Sequence, residues 1–349
     1  MSETKQNSVE LPELDILQRF DVPGPRYTSY PTADRFKKEF GPEDYKEVLK
    51  NRGTVSPEAA LSLYVHIPFC SNICYYCGCN KEITKDHSRS AQYIETLGKE
   101  CDLIKDSLTG IGTVEQLHFG GGSPTFLNNE EIVQVMETLT SRFPLEKDAE
   151  ISIEVDPRCC APEKVEILAK AGFNRMSVGQ QDFDDRVQIA VNRVQPFEMT
   201  KATMDAARAN GFESINMDLI YGLPFQSENS FDKTLDKVLE LSPDRIALYH
   251  YAHLPEHFKA QRRINAEDLP STPEKVAIML DAIRRLTSNG YHYIGMDHFA
   301  KVSDPLAQAQ ENGTLQRNFQ GYSTKPECDM VALGVSSISK VTGCYAANA

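Results

Sequence analysis

The sequence predicts an α/β protein, a parallel (βα)6 partial barrel with an N-terminal arm, and three observations carry that prediction. From Leu61 onward, short β-branched and aromatic runs alternate with amphipathic helical stretches, the pattern of βα units that build a parallel sheet. Six such runs can be counted. The segments that follow them are richer in Gly, Pro and polar groups than a bare turn requires, as the active-site loops of barrels are. At 349 residues the chain can also bury a core of barrel size.

Taken in order, residues 1–60 are polar and punctuated, and PGPRYTSYP at 23–31 holds too much Pro and Gly for helix or central strand. The domain division expected is therefore an arm and lead-in over 1–55 and a barrel with a C-terminal extension over 56–349. The strands expected are LSLYVHI (61–67), VEQLHF (114–119), EISIEV (150–155), RMSVG (175–179), SINMDLI (214–220) and RIALYHY (245–251). Between them Asn129 precedes Ile132, Val135, Met136 and Leu139 at helical spacing. STPEK at 271–275 supplies a cap, a first-turn Pro and an acidic residue for a helix that stops at Gly290. The strand ends read HIPFC, HFGGGSPT, EVDPR, GQQDF, DLIYGLP and YHYAHLP.

The formal net charge of −13 argues against a generic nucleic-acid or anionic-membrane binder, because both demand a positive field. The start MSETKQNSVELPELD lacks a secretion signal, and no apolar run approaches about eighteen residues, so a cytoplasmic chain is expected. Nine cysteines, an odd count, fit reduced thiols better than a disulfide framework.

Four of those cysteines lie in HIPFCSNICYYCGC, residues 66–79. Cys70, Cys74 and Cys77 have C-x3-C-x2-C spacing after the first strand. Structural zinc takes four ligands, usually as two separated pairs, so three thiolates on one loop suit it poorly. An iron–sulfur cluster fits better: a cubane held by three cysteines leaves one iron open to a small molecule bearing an amino and a carboxylate group. A zinc loop and unliganded thiols are the alternatives. Cys79 is given no ligand role, because a fourth thiolate would close the open iron.

The run Cys70, Cys74, Tyr76, Cys77 resembles the radical S-adenosylmethionine signature, in which one electron from a [4Fe-4S] cluster cleaves S-adenosylmethionine to a 5′-deoxyadenosyl radical. PGPRYTSYPTA, LYVHIPFC, CGCN, GGGSPT, ISIEVDPR, VGQQDF, MDLIYGLP, YAHLP, GMDHFA and RNFQGYST together resemble the oxygen-independent coproporphyrinogen III oxidase family, over residues 20–347. The resemblance implies oxidative decarboxylation of two propionates of coproporphyrinogen III to vinyl groups, giving protoporphyrinogen IX in haem synthesis. It implies two S-adenosylmethionine molecules and a one-electron donor of flavodoxin or ferredoxin type. No nucleic-acid or membrane partner is expected, and the chain is expected to be a monomer.

Carried over residue by residue, the resemblance places Tyr64, Gly121 and Glu154 with the first S-adenosylmethionine. Tyr76, Gly122, Ser123, Gln181, Arg193, Asp218, Ala252 and Ile338 fall to the second. Glycines let a backbone approach a ligand closely, and a strand-end carboxylate accepts bonds from amino or ribose groups. Glu154 and Asp218 could equally be paired structural carboxylates, Arg193 a surface cation and Tyr64 a packed core aromatic. Arg26 in the arm is the candidate cation for the substrate's carboxylates. None of His66, His118, His250, His253 and His298 is assigned a catalytic role. Gln180, beside Gln181, should face the other side of its strand.

The family carries a further helical C-terminal domain, and this chain stops at GCYAANA, so that domain is expected to be absent. Two rival functions remain at this stage. One is the related haem-binding chaperone family, which typically has Phe where this chain has Cys79; the other is a non-catalytic metal-binding scaffold.

Overall fold

The computed structural model describes residues 32–348 except 111, 319, 320, 326 and 327, together with 16, 17 and 19. Strands β1 (Leu61–Ile67), β2 (Val114–Gly121), β3 (Leu145–Val155), β4 (Arg175–Gln181), β5 (Ser214–Tyr221) and β6 (Arg245–His250) lie side by side in chain order. Every neighbouring pair among them is parallel, which makes the expected six-stranded partial barrel.

Five further strands extend both edges of this sheet, and two short strand pairs, Phe69–Cys70 with Glu82–Ile83 and Gln316–Arg317 with Tyr322–Ser323, stand apart from it among the described residues. On one side, β7 (Tyr291–Gly295) and β8 (His298–Lys301) form an antiparallel pair, with β8 against β6. On the other, β9 (Asp329–Leu333) runs parallel to β1, and β10 (Ile338–Val341) and β11 (Cys344–Ala347) fold back antiparallel, giving an 11-stranded sheet.

Four strands are longer than expected, β4 reaching Gln181 and β5 Tyr221 among them, and β6 stops one residue short at His250. β2 continues to Gly121 because Gly120 and Gly121 still pair with His66 and Ile67, and β3 begins at Leu145, where it pairs with Val114.

Burial alternates residue by residue most cleanly in β3 and β4. Leu63, Val65, Leu117, Phe119, Ile153, Val178, Met217 and Leu219 are fully buried in the main core between sheet and helices. Their neighbours His118, Ser152, Ser177, Asn216 and Tyr249 line a chamber of about 210 Å³ on the opposite, inner face. The barrel interior is thus polar where a closed barrel would be packed with branched aliphatics.

The outer helices follow from caps and apolar stripes. In the helix Asn129–Thr140, Ile132, Val135, Met136 and Leu139 are buried as their spacing requires. Its N-cap is Asn128, whose side chain accepts from Glu131 N–H while Glu131 reaches back, a reciprocal box. Ser271 and Glu274 make the same box for the helix Thr272–Ser288, and Gly290, at φ +88°, turns the chain beyond its end.

The helix Pro42–Val55 docks on the extension strands. Its Arg52, with no exposed side-chain surface, donates through Nε to Asp329 Oδ2 at 2.8 Å, and its Leu49 joins the main core.

Candidate active site at the strand ends

The cysteine loop leaves β1 and is tied to its neighbours by backbone and amide hydrogen bonds. Gly122 N–H donates to Ile67 O at 2.8 Å and Ser123 N–H to Phe69 O at 2.9 Å, so the end of β2 runs alongside the loop's first turn. A Cβ on Gly122 would lie 2.8 Å from the Pro68 carbonyl, which is why only glycine fits there. On the far side, Tyr75 N–H donates to Val191 O at 2.9 Å and Asn192 Nδ2 to Ile73 O at 2.7 Å. Gln261 Nε2 bridges the Tyr76 and Ala252 carbonyls at 3.0 and 3.2 Å.

The loop and the strand ends enclose a cavity of about 280 Å³. The loop contributes Cys70, Cys74, Tyr76 and Cys77, and β2 and its turn contribute Gly121, Gly122 and Ser123. Glu154, Gln181 and Asp218 enter from the ends of β3, β4 and β5, and Arg193 from the turn after the helix Asp185–Ala190. Three expected residues do not line it. Tyr64 lies below, stacked on His118 at 5.8 Å; Ala252 is exposed and its carbonyl is joined through Gln261 to that of Tyr76; Ile338 is the first residue of β10. Arg26 lies outside the described residues.

The three thiols suit a cluster with one open iron. Cys74 is buried, Cys70 and Cys77 are half-buried, and all are free. Among the described residues no three His, Cys, Asp or Glu side chains are gathered for a single metal ion, whereas a cubane spreads its thiolates over separate irons. A hydrogen bond from Cys79, with Lys81 close by, brings Cys77 down to about 6. Burial pushes Cys70 up to about 12, so ligation there must displace a proton.

Cations concentrate on Cys74. Arg158 Nη2 and Arg193 Nη1 stand 3.4 and 3.7 Å from its sulfur. Both also pair with Asp156, at 2.7 and 3.2 Å. Burial alone would raise Asp156, but Arg193 and Arg158 hold its carboxyl below the usual range. Lys81 Nζ caps the loop by donating to the Cys77 and Cys79 carbonyls at 3.1 and 3.2 Å.

Two carboxylates face the cavity from below. Glu154 Oε2 accepts from Gly121 N–H at 3.2 Å, and its other oxygen lies 3.4 Å from His118 Nε2. Asp218 accepts from Ser177 Oγ at 3.0 Å and Asn216 Nδ2 at 2.8 Å, while burial and the nearby Glu154 push it up to about 6. The oxygens of the pair form an acceptor surface for amino and hydroxyl donors.

Asp156, Arg158, Lys81 and Gln261 were missed from the sequence. EVDPR marks the Asp–Arg pair as a strand-end signal, whereas Gln261 sits in a stretch with no motif.

Comparison with known proteins matches residues 64–238 to the Radical SAM superfamily model. The oxygen-independent coproporphyrinogen III oxidase of Pseudomonas aeruginosa is 50% identical over 338 residues, 96% of this chain and 73% of that protein. The Escherichia coli enzyme of the same name is 48% identical over 336 residues, 96% of this chain and 72% of the relative. A solved structure of Escherichia coli coproporphyrinogen III oxidase, described as a radical SAM enzyme, superposes with a TM-score of 0.89, covering 92% of this chain and 73% of its own.

Proposed function

The chain belongs to the oxygen-independent coproporphyrinogen III oxidase family of the radical SAM superfamily, and from that premise we infer the reaction its site performs. It is an oxidoreductase that converts coproporphyrinogen III to protoporphyrinogen IX, using a [4Fe-4S] cluster and S-adenosylmethionine. The observation that carries this reading onto the residues is the single cavity shared by Cys70, Cys74 and Cys77 and the glycine and carboxylate strand ends.

A [4Fe-4S] cluster held by Cys70, Cys74 and Cys77 would supply the electron that cleaves S-adenosylmethionine to a 5′-deoxyadenosyl radical able to take a hydrogen from a propionate β-carbon; loss of carbon dioxide, with one electron passing to a separate one-electron acceptor, would leave the vinyl group. A base is poorly matched to that carbon, which has no acidic hydrogen. This chain's own part is to hold, orient and neutralise. Cys70, Cys74 and Cys77 are the proposed iron ligands. Gly121, at φ +117°, and Gly122 bring bare backbone to the ligand. Glu154 and Asp218 accept donors from amino and ribose groups, Gln181 and Ser123 supply neutral polar contacts, and Arg193 balances charge beside Cys74.

The proposal extends to two S-adenosylmethionine molecules, with Tyr64, Tyr76, Ala252 and Ile338 in the roles the family gives them. It also includes Arg26 as a substrate clamp and a monomeric chain. An arm over 1–55 and a barrel over 56–349 remain the proposed domains. A flavodoxin- or ferredoxin-like donor would meet the cysteine loop where Asn72 and Cys79 are exposed. No described helix is long and apolar enough to cross a membrane, and nine free cysteines suit the cytosol proposed here.

The ligand assignment is tested by iron content and by the electron paramagnetic resonance of the reduced protein. Cys70→Ser, Cys74→Ser and Cys77→Ser should each lose the cluster, and Cys79→Ser should keep it. Loss of iron in Cys79→Ser would overturn the assignment.

A further inference from the structure

Gln181 occupies an unfavourable backbone conformation. Its φ is +69°, and Asp182 N–H donates back to Gln180 O at 2.9 Å, closing a three-residue γ-turn of the strained hand with Gln181 at its centre. The ladder between β4 and β5 slips at this point. The slip aims Gln181 into the cavity while Gln180 stays buried on the other side. A Cβ on Gly179 would lie 3.0 Å from Gln181 Nε2 and 2.9 Å from Arg193 Nη2, so these two side chains converge over the bare glycine.

A strained turn persists only where its surroundings over-determine it. Here they converge on Asp182, a residue 2% exposed that does not line the cavity. Its Oδ1 accepts from Asp184 N–H at 2.6 Å and Thr234 Oγ1 at 2.8 Å, and its Oδ2 accepts from Gln226 Nε2 at 2.5 Å. Its carbonyl accepts from Gln180 Nε2 and Gln188 Nε2, both at 2.9 Å. Gln226 is itself fixed, donating to Ile220 O at 2.9 Å and accepting from Leu223 N–H at 2.8 Å in the turn after β5.

The same network holds Arg193. Gln188 accepts from Gln195 N–H and donates to Gln195 O, each at 2.8 Å, and its own carbonyl accepts from Arg193 N–H at 2.9 Å. Three donors meet the carboxyl group, and apolar packing alone has no use for them.

We propose that Asp182 is a positioning residue: it locks the Gln181 turn and, through Gln188, the loop bearing Arg193, so that both side chains are preorganised for S-adenosylmethionine. This rests on the reading that Gln181 and Arg193 contact that ligand. An Asn at 182 would turn one N–H toward a neighbouring donor, releasing the turn without changing its size.

The test measures S-adenosylmethionine affinity by isothermal titration of the cluster-loaded protein, alongside thermal melting. Asp182→Asn should weaken binding about tenfold, or about 1.4 kcal/mol. Thr234→Val removes one donor and should weaken it about threefold, so an answer survives if the first variant folds poorly. Leu139→Ala, a core change at the opposite end of the barrel, should lower the melting temperature with affinity unchanged. In a double-mutant cycle, Asp182→Asn added to Gln181→Ala and Arg193→Met should weaken binding no further. Unchanged affinity in Asp182→Asn and Thr234→Val, or full additivity, overturns the proposal. Unchanged affinity in Gln181→Ala and Arg193→Met instead overturns the contact reading beneath it.

Discussion

Replacing Arg193 with Met removes a buried guanidinium while leaving an unbranched chain in its volume. In the native protein that side chain is 8% exposed, donates to Asp156 Oδ2 at 3.2 Å and to Gly179 O at 2.6 Å, and stands 3.7 Å from Cys74 Sγ. Stripping the sole partner from a buried charge costs about 3–5 kcal/mol, but Arg158 still holds Asp156 at 2.7 Å, so about 2 kcal/mol is expected from this source. The lost donor to Gly179 O adds about 1 kcal/mol. Against this, Arg193 Nε is buried without a partner among the described residues, and removing it returns about 1 kcal/mol. The net loss is about 2 kcal/mol. With a urea dependence of about 3 kcal/mol per molar, the unfolding midpoint of the cluster-free protein should fall by about 0.7 M. Arg193→Lys should recover only part of it, because one ammonium cannot reproduce the fork. A midpoint unmoved in Arg193→Met would refute the idea that this arginine neutralises Asp156 and supports the cysteine loop.

Two further outcomes follow from single positions. Gly121→Ala places a Cβ 2.9 Å from the His66 ring at a φ of +117°, and His66 Nε2 pairs with Asn80 O at 3.0 Å. The strain, about 1–3 kcal/mol, should therefore reach the cysteine loop, lowering both the melting temperature and S-adenosylmethionine affinity; a variant that melts and binds like the native protein contradicts this. Burial raises Asp182 from 3.8 to about 6, so the folded chain binds that proton more tightly than the unfolded one. The associated stability is full below about pH 4, is lost as pH rises through about 6, and amounts to roughly 3 kcal/mol. Asp182→Asn lacks this dependence, so its deficit relative to the native protein should be larger at acid than at neutral pH in urea titrations. A pH-independent deficit would show that the carboxyl is not raised.

The six central strands were legible because β-branched and aromatic residues cluster in them and turn residues bound them; LSLYVHI matches Leu61–Ile67 residue for residue. The edge strands were not. YHYIG and HFAK are short and carry His and Gly; HFAK pairs with the open edge of β6, and YHYIG pairs with HFAK. The cysteine spacing and the glycine run disclosed the ligand end of the site, since each imposes a local geometry that few other residues allow. What escaped was tertiary. Nothing near Arg193 announces that it will sit between Asp156 and Cys74, and Gln261 joins Tyr76 to Ala252 across a sequence distance no pattern spans. Gln180 does face away from Gln181 as strand alternation requires, yet the γ-turn that aims Gln181 depends on Asp182, Gln226 and Thr234, which come from three separate segments.

In this protein one cavity serves both S-adenosylmethionine cleavage and propionate decarboxylation. The direct measurement is an anaerobic turnover of cluster-reconstituted protein with reductant, S-adenosylmethionine and coproporphyrinogen III, counting 5′-deoxyadenosine and protoporphyrinogen IX together. Both should accumulate, and Cys70→Ser should abolish both. Cluster-loaded protein that forms no 5′-deoxyadenosine would contradict this.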